Sequence, residues 1–416
     1  KDMVRQLLPL VALFIGSAFL MFAGGVNGLI LPIRGELEGF SATSLGLLGT
    51  GWAIGYVLGC LRTPQLVNRV GHIRTFGVMC ALASITVLLS LLFITPWIWI
   101  PLRAISGFCF AGAAMVVESW LNERADPSNR GKIFGFYTMI NLSATTIGQL
   151  SLTLGDPSGF LFFVLAAVIY CAALLPTALS AGNTPSPLVN ARLDLKLLWR
   201  NSPVAVLAVF MVGISNAAFG TLSAVFAARS GLNVFEITLF ASLPILTGAV
   251  AQIPVGWFSD KFDRRVVLIT ISVFALIMDG VFVFLAPLNV AVLLLTSCAF
   301  GAAVFSMYPV IVAHANDHAA PGMYIQISGG ILLVLGVGSI VGPTVAGVAM
   351  SYLGNQNLFL VTGLSHVAII LFTFYRVLTK SALASYTKGT FQAVPLGRAS
   401  TPETANLAKG EMGEDV

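Results

Sequence analysis

Long apolar runs separated by short polar stretches repeat from end to end of this chain. Twelve are long enough to be helical spans: 7–31, 44–61, 75–95, 97–120, 132–154, 159–180, 203–227, 235–257, 266–286, 288–313, 323–352 and 357–378. Each is close to or beyond the roughly 20 residues that carry a helix across about 30 Å of hydrocarbon. The runs are continuous rather than alternating, which excludes a transmembrane barrel, whose strands place a polar lumen-facing residue at every second position. The first run is longer than a signal peptide's apolar core and shows no small-x-small cleavage pattern, so it is expected to stay as the first span.

Composition agrees with the pattern. At 57% hydrophobic residues and a mean hydropathy of +0.92 over 416 residues, no soluble core could hide this much apolar surface. The fold class is therefore an all-α membrane protein, with the lipid bilayer as its first partner. Cys60, Cys80, Cys109, Cys171 and Cys298 all fall inside apolar runs without the Cys/His spacing of a metal site, so neither a metal nor a cofactor is expected. A pI of about 9.0 would suit nucleic acid, but the cations are sorted by loop, and no nucleic-acid partner is expected.

One set of loops holds Arg62, Arg69, Arg74, Arg124, Arg130, Lys132, Arg192, Lys196, Arg200, Lys261, Arg264 and Arg265. With the two tails this side takes 19 of the 22 Lys and Arg residues, whereas the opposite loops hold only Arg34 and Arg229. The positive-inside rule then puts both termini in the cytoplasm. Two of the basic turns are matched: PQLVNRVGHIRTF begins at residue 64 after span 2, and GWFSDKFDRRVVL begins 192 positions later after span 8. Phe110-Ala111-Gly112-Ala113-Ala114 in span 4 is likewise echoed by Phe300-Gly301-Ala302-Ala303 in span 10. The chain is read as a six-helix unit made twice: residues 1–180 as one bundle, 181–202 as a linker with a short amphipathic piece suited to the inner membrane surface, and 203–378 as the second bundle. The tail 379–416, rich in Ser, Thr, Ala and Gly, has no apolar period and is expected to be disordered.

The matched turns resemble the signature Gly-x-x-x-Asp-Arg/Lys-x-Gly-Arg/Lys-Arg/Lys of the major facilitator superfamily. Gly256, Asp260, Lys261, Arg264 and Arg265 match in the second half, with Asp263 in place of the inner Gly; Arg69, Gly71 and Arg74 match in the first, with Pro64 and Asn68 in place of the first Gly and the Asp. Arg103-x-x-x-Gly107 resembles the superfamily's second motif, and SNRGKIFGFY and GVGSIVGPTVAG look most like its YcaD-like subgroup. The resemblance covers residues 7–378 and implies the major facilitator fold, two pseudo-symmetric six-helix bundles. It also implies a cytoplasmic gate built from Asn68, Arg69, Gly71, Arg74, Asp260, Lys261, Arg264 and Arg265, in which the turn's acid caps a helix of the opposite half. A carboxylate near a helix N-terminus gains about 0.3–1 kcal/mol from the dipole; Asn68 brings no charge, so the first latch should be weaker than the second. Gly338, Gly342, Pro343 and Gly347 look like the antiporter element of drug exporters, but in span 11 rather than span 5.

Polar residues inside apolar runs mark candidate chemistry, because hydrocarbon makes each one costly. Thr138, Asn141, Thr145 and Gln149 of span 5 fall within about 80° at 100° per residue, a single polar stripe and the best candidate surface for substrate. Asn27, Asn216, Gln252 and Tyr308 add single candidates, for each of which interhelical hydrogen bonding is the competing role. Arg103 could meet a substrate anion or bond backbone carbonyls. Glu118, about 22 Å along the same helix, is the candidate coupling residue, salt-bridged to Arg69 or Arg74 or carrying a proton. Asp279 and His366 are expected to be structural supports. Gly51, Gly55 and Gly59, with Gly338, Gly342 and Gly347, make smooth faces suited either to sliding between halves or to static packing.

No GxxxxGK[ST] loop is present to power transport from nucleotide, and no HExxH or GxSxG argues for an enzyme. The leading reading is a secondary active transporter of a small organic solute working by alternating access, proton-coupled, monomeric, in a bacterial inner membrane. A facilitative uniporter or a transporter-like sensor is the alternative. The sparse intramembrane charge favours a neutral, amphipathic or singly anionic solute, and an aromatic lining for sugars is not evident.

Overall fold

The computed structural model describes residues 11–124, 130–179, 195–285, 289–319, 323–380, 389, 391, 393 and 400–404. Twelve long helices account for the twelve runs: α1 Val11–Leu37, α2 Ala42–Val70, α3 His72–Leu92, α4 Pro96–Arg124, α5 Arg130–Leu150, α6 Leu161–Leu179, α7 Pro203–Arg229, α8 Val234–Lys261, α9 Arg264–Phe284, α10 Val290–Asp317, α11 Tyr324–Leu353 and α12 Asn357–Thr379. Eleven are long and apolar enough to cross a membrane by length and composition. The exception is α5, and its own sequence gives the reason: the polar stripe at Thr138, Asn141, Thr145 and Gln149 dilutes an otherwise apolar helix.

Helices α2, α4, α8 and α10 run a turn or more past their apolar runs, to Val70, Arg124, Lys261 and Asp317. Backbone hydrogen bonding continues wherever the residues permit helix, whether or not they are apolar, so the runs understate helix length. Ends are set by local chemistry. Asn233 and Glu236 form a reciprocal capping box that starts α8, with bonds of 3.0 and 2.9 Å. Asn289 caps α10 by accepting from the Val292 N–H at 2.9 Å. Gly71, at φ +89°, makes the tight turn from α2 to α3 that a side chain would strain.

The helices sort into two compact units, each described by itself. In the first, α1 packs on α5 and α6, and α3 on α4 and α6. In the second the same pairings recur six helices on: α7 with α11 and α12, and α9 with α10 and α12. The internal duplication read from the basic turns is thus repeated in the packing.

Unit membership departs from the sequence halves in two places. Residues 39–50, the first turns of α2, group with the second unit. There Thr43 donates to Ser351 at 2.9 Å, the Thr50 hydroxyl lies 2.6 Å from the Ile340 carbonyl, and Gly46 and Gly347 let α2 and α11 approach backbone to backbone. Residues 401–416 group with the first unit.

Most of the linker 181–202 and of the tail 379–416 lies outside the described residues, as do Lys1, Arg5, Arg192, Lys388, Arg398 and Lys409 and the side chains of Arg124, Arg130 and Lys132. The described part of the linker is a short helix, Leu195–Asn201. Its Leu198 is buried against Gly330 of α11, and Asn201 bonds the Ala315 carbonyl at 3.0 Å, so one face of this piece packs on protein while Leu195 and Trp199 stay exposed.

The glycine faces are also decided. Gly51, Gly55 and Gly59 abut the backbone of α4 at Ile100, Ala104 and Phe108, inside the first unit. Gly338 and Gly342 abut α7 at Phe210 and Ile214, inside the second. Within each unit these faces are close backbone packing, while Gly347 meets α2 at Ala42 and Gly46: with no Cβ, two backbones close to a distance that a one-methyl change would disrupt.

Candidate functional site

In the first unit the stripe of α5 forms as expected, with Thr138, Asn141, Thr145 and Gln149 all half-buried on one face. The Asn141 side-chain oxygen accepts from Ser17 of α1 at 2.7 Å, and the Thr145 hydroxyl donates back to the Asn141 carbonyl at 2.8 Å. The Thr138 hydroxyl is buried with no partner. Across the same unit Asn27 of α1 is buried, its Oδ1 also unpartnered, while its side chain meets the Tyr170 hydroxyl of α6. Tyr170 in turn is an electrostatic neighbour of Arg103. Arg103 thus neighbours a phenol that in turn meets the Asn27 amide, a setting that can receive a polar solute.

Glu118 pairs with neither Arg69 nor Arg74, both of which are exposed. Its Oε1 accepts from the Tyr137 hydroxyl at 3.0 Å, and its Oε2 accepts from Thr404 at 2.9 Å and from Thr401. The reason is local. The α2–α3 turn leaves its two arginines in solvent, whereas Tyr137 on α5 brings a buried hydroxyl to the carboxylate without desolvating a cation. Residues 400–404, within the tail expected to be disordered, form a short turn of helix buried against this site. Ser17 and Asn141 also interact with the Tyr137 hydroxyl, which links the stripe to Glu118.

An aromatic group is present after all. Trp52 and Tyr56 of α2 stack at 5.0 Å between ring centroids, with Phe110 of α4 at 5.9 and 6.4 Å from them. Both α2 rings are half-buried. Spacing of i and i+4 on the glycine-lined helix was the signal, masked because the glycines drew the reading.

The second unit holds Asn216, Gln252 and Tyr308, all buried. The Asn216 Oδ1 has no partner. Asn216 lies 189 positions after Asn27, close to the 190 that separate Phe110 from Phe300, so these two amides, each with an Oδ1 unpartnered among the described residues, occupy matching places in the duplicated sequence.

The basic turn of this unit is closely bonded to its surroundings within the unit. Arg264, fully buried, bonds Asp317 at 2.6 Å and Ser259 at 2.8 Å, lies 3.4 Å from Asp260, and reaches the Gly389 carbonyl. Arg265 holds Asp263 at 2.7 Å and donates to the Arg376 and Lys380 carbonyls at 3.1 and 3.0 Å, a cation capping the C-terminus of α12. Lys261 lies over the Trp257 ring at 3.7 Å. Asp260 Oδ1 accepts from the Phe391 N–H at 2.8 Å, and the Phe391 ring covers Gly256. In the first unit Asn68, Arg69 and Arg74 are exposed, and Asn68 has a partner of its own.

Deeper in the second unit, Asp279 accepts from Thr362 at 2.5 Å and pairs with His366 at 2.6 Å, and Ser215 lies 3.1 Å from the other ring nitrogen of His366. Every polar end of this cluster is matched, as supports require.

Comparison with known proteins follows the same line. The MFS-type transporter YcaD of Shigella flexneri serotype 5b (strain 8401) is 26% identical over 382 residues, covering 90% of this chain and 96% of the relative, and YcaD of Escherichia coli O139:H28 (strain E24377A / ETEC) matches equally. Among solved structures, the nucleoside transporter NupG superposes with a TM-score of 0.75 at 14% identity, over 88% of this chain and 98% of that one. The D-xylose-proton symporter superposes with a TM-score of 0.65 at 16% identity, over 91% and 98%; at such identities the likeness is one of fold. The sequence profile of the Major Facilitator Superfamily matches residues 13–329 and 205–403, and the chain belongs to that superfamily of transporters.

Proposed function

We propose that this transporter is a secondary active carrier that moves a neutral, hydroxyl-bearing organic solute by alternating access, coupled to protons through Glu118. One observation supports it most: buried oxygens of Asn27 and Thr138 in the first unit, and of Asn216 in the second, have no partner among the described residues. A buried polar atom without a partner costs about 1–3 kcal/mol, and a solute that is bound there offsets that cost. The stripe on α5, Arg103, Gln252 and Tyr308 complete the candidate binding set. Trp52, Tyr56 and Phe110 supply ring faces of the kind that stack on sugar or base rings.

In this reading Asp260, with Lys261, Arg264, Arg265, Asn68, Arg69, Gly71 and Arg74, belongs to a cytoplasmic gate, the protein acts as a monomer, and both termini face the cytoplasm of a bacterial inner membrane. Relatives by fold that carry nucleosides and xylose agree with the solute class. Counterflow in proteoliposomes tests the proposal: a panel of nucleosides and pentoses should include one that exchanges, and a pH gradient should drive its accumulation. Exchange without accumulation means a uniporter; binding without exchange means a sensor.

A further inference from the structure

The tail residues on Glu118 have no place in the transport scheme above. Thr401 and Thr404 are almost fully buried, and so is Glu118 beneath them. The pair is preset by its own turn: the Thr401 N–H donates to the Thr404 hydroxyl at 2.8 Å, the Thr404 N–H points back to the Thr401 hydroxyl at 3.4 Å, and the two hydroxyl oxygens lie 3.4 Å apart. Both hydroxyls converge on one carboxylate oxygen, Oε2. A small polyol offers the same chemistry, two neighbouring hydroxyls donating to one oxygen.

We propose that Thr401–Thr404 is a tethered plug that occupies, by its two hydroxyls, the place at Glu118 that a diol-bearing solute takes in transport.

The plug is built to leave. Glu403 of the same turn is buried and sits close enough to Glu118 for the two carboxylates to repel, so two charge-assisted bonds are set against a like-charge pair. The tether holds the plug at a high effective concentration however weak its own affinity, and a solute that adds ring stacking to the same hydroxyl pair displaces it. The plug restricts carriage when solute is scarce and yields when solute is abundant. This deepens the proposed function, naming the ligand chemistry at Glu118, and rests on Glu118 lining the solute path.

Labelling of Glu118 by a fluorescent carbodiimide reads the plug without transport. The full chain, the Thr401→Val/Thr404→Val variant and a chain ended after Lys380 are compared in detergent, with Glu118→Gln as the blank. Loss of the two hydroxyl bonds to Glu118 should raise the labelling rate of both altered proteins by at least about tenfold, or 1.4 kcal/mol. Ribitol or D-ribose should then slow labelling of the valine variant. Equal labelling of all three proteins overturns the plug. Labelling that rises but ignores both polyols overturns the diol assignment. Failure of the transport scheme itself is seen separately, as absence of counterflow.

Discussion

The two units share a pairing pattern but put their polar groups to different use. In the second, charges close on each other: Asp279 with His366, Arg264 with Asp317, Arg265 with Asp263. Around them is a phenylalanine core in which Phe282 and Phe359 stack at 3.9 Å, Phe226 meets Phe359 edge-on at 4.9 Å, and Phe219 lies 5.0 Å from Phe300. The first unit has a half-buried polar stripe instead and a carboxylate whose described partners are hydroxyls; buried oxygens with no partner among the described residues occur in both, at Asn27, Thr63 and Thr138 in the first and at Asn216, Asn316, Asn355 and Thr373 in the second. A duplicated template therefore need not divide its labour evenly. One copy can hold shape while the other carries most of the exposed chemistry, with Asn216 as the second copy's contribution.

The widest test of that contrast is the buried Asp279–His366 pair. Removing Asp279 leaves the Thr362 hydroxyl and a His366 ring nitrogen buried without their partner, at about 1–3 kcal/mol each, so Asp279→Ala should sharply lower the thermal midpoint in detergent. An Asp279→Leu/His366→Leu chain should regain much of the loss. If the single variant melts like the parent, the pair is not a support and the division of labour fails. Phe359→Ala should follow closely, at about 3–5 kcal/mol for an emptied aromatic site; a comparable loss from Phe110→Ala, in the looser ring group of the first unit, would blur the comparison.

Glu118→Gln should do the reverse. Glutamine keeps one acceptor oxygen, for either Tyr137 or the threonines, and turns its NH2 to hydroxyls that can accept in turn, so the melt should move little, while accumulation driven by a pH gradient is abolished and exchange at equal concentrations persists. Asn141→Ala and Gln149→Ala should each weaken solute binding about tenfold, or 1.4 kcal/mol, with little change in stability. Variants that melt early but bind normally would make these residues helix glue, and the first unit as structural as the second.

The fold was legible because hydrophobic run length and cation sorting are set by the bilayer and do not depend on packing detail. The twelve helices and the doubled unit follow from them. The stripe was legible as well, since 138, 141, 145 and 149 share a face on any helix. Partner choice was not. Glu118 is near Arg69 and Arg74 in the simple arithmetic of loops, yet a turn that leaves arginines in water and a distant tail segment decided its bonds. Asp317 as the partner of Arg264 was within reach: an acid at the end of span 10 lies on the side where the basic turns gather. Thr401 and Thr404 gave no periodic signal at all, and only three-dimensional contact identifies them.

The smallest expected effect concerns Asp263, which stands where the family signature has glycine. It starts α9 by accepting from the Arg265 N–H at 2.9 Å and from the Arg265 guanidinium. Burial pushes its carboxyl up, but the hydrogen bonds from the Arg265 side chain and backbone, with the guanidinium charge, outweigh it and hold the group below its ordinary value. A carboxyl lowered on folding stabilises the native state at pH values above its unfolded pKa, about 3.9. That contribution disappears as pH falls through the lower native value, because the folded and unfolded chains then bind the same proton. Half-exposure and salt screening keep it under about 1 kcal/mol at neutral pH. Asp263→Asn retains a cap but not the charge, so its deficit against the parent, measured by thermal melts from neutral pH downward, should be small and should vanish in strong acid. A deficit that grows on acidification would mean that the Arg265 pairing does not stabilise the fold, and that Asp263, like its neighbours Asp260 and Lys261, is better assigned to the gate than to holding shape.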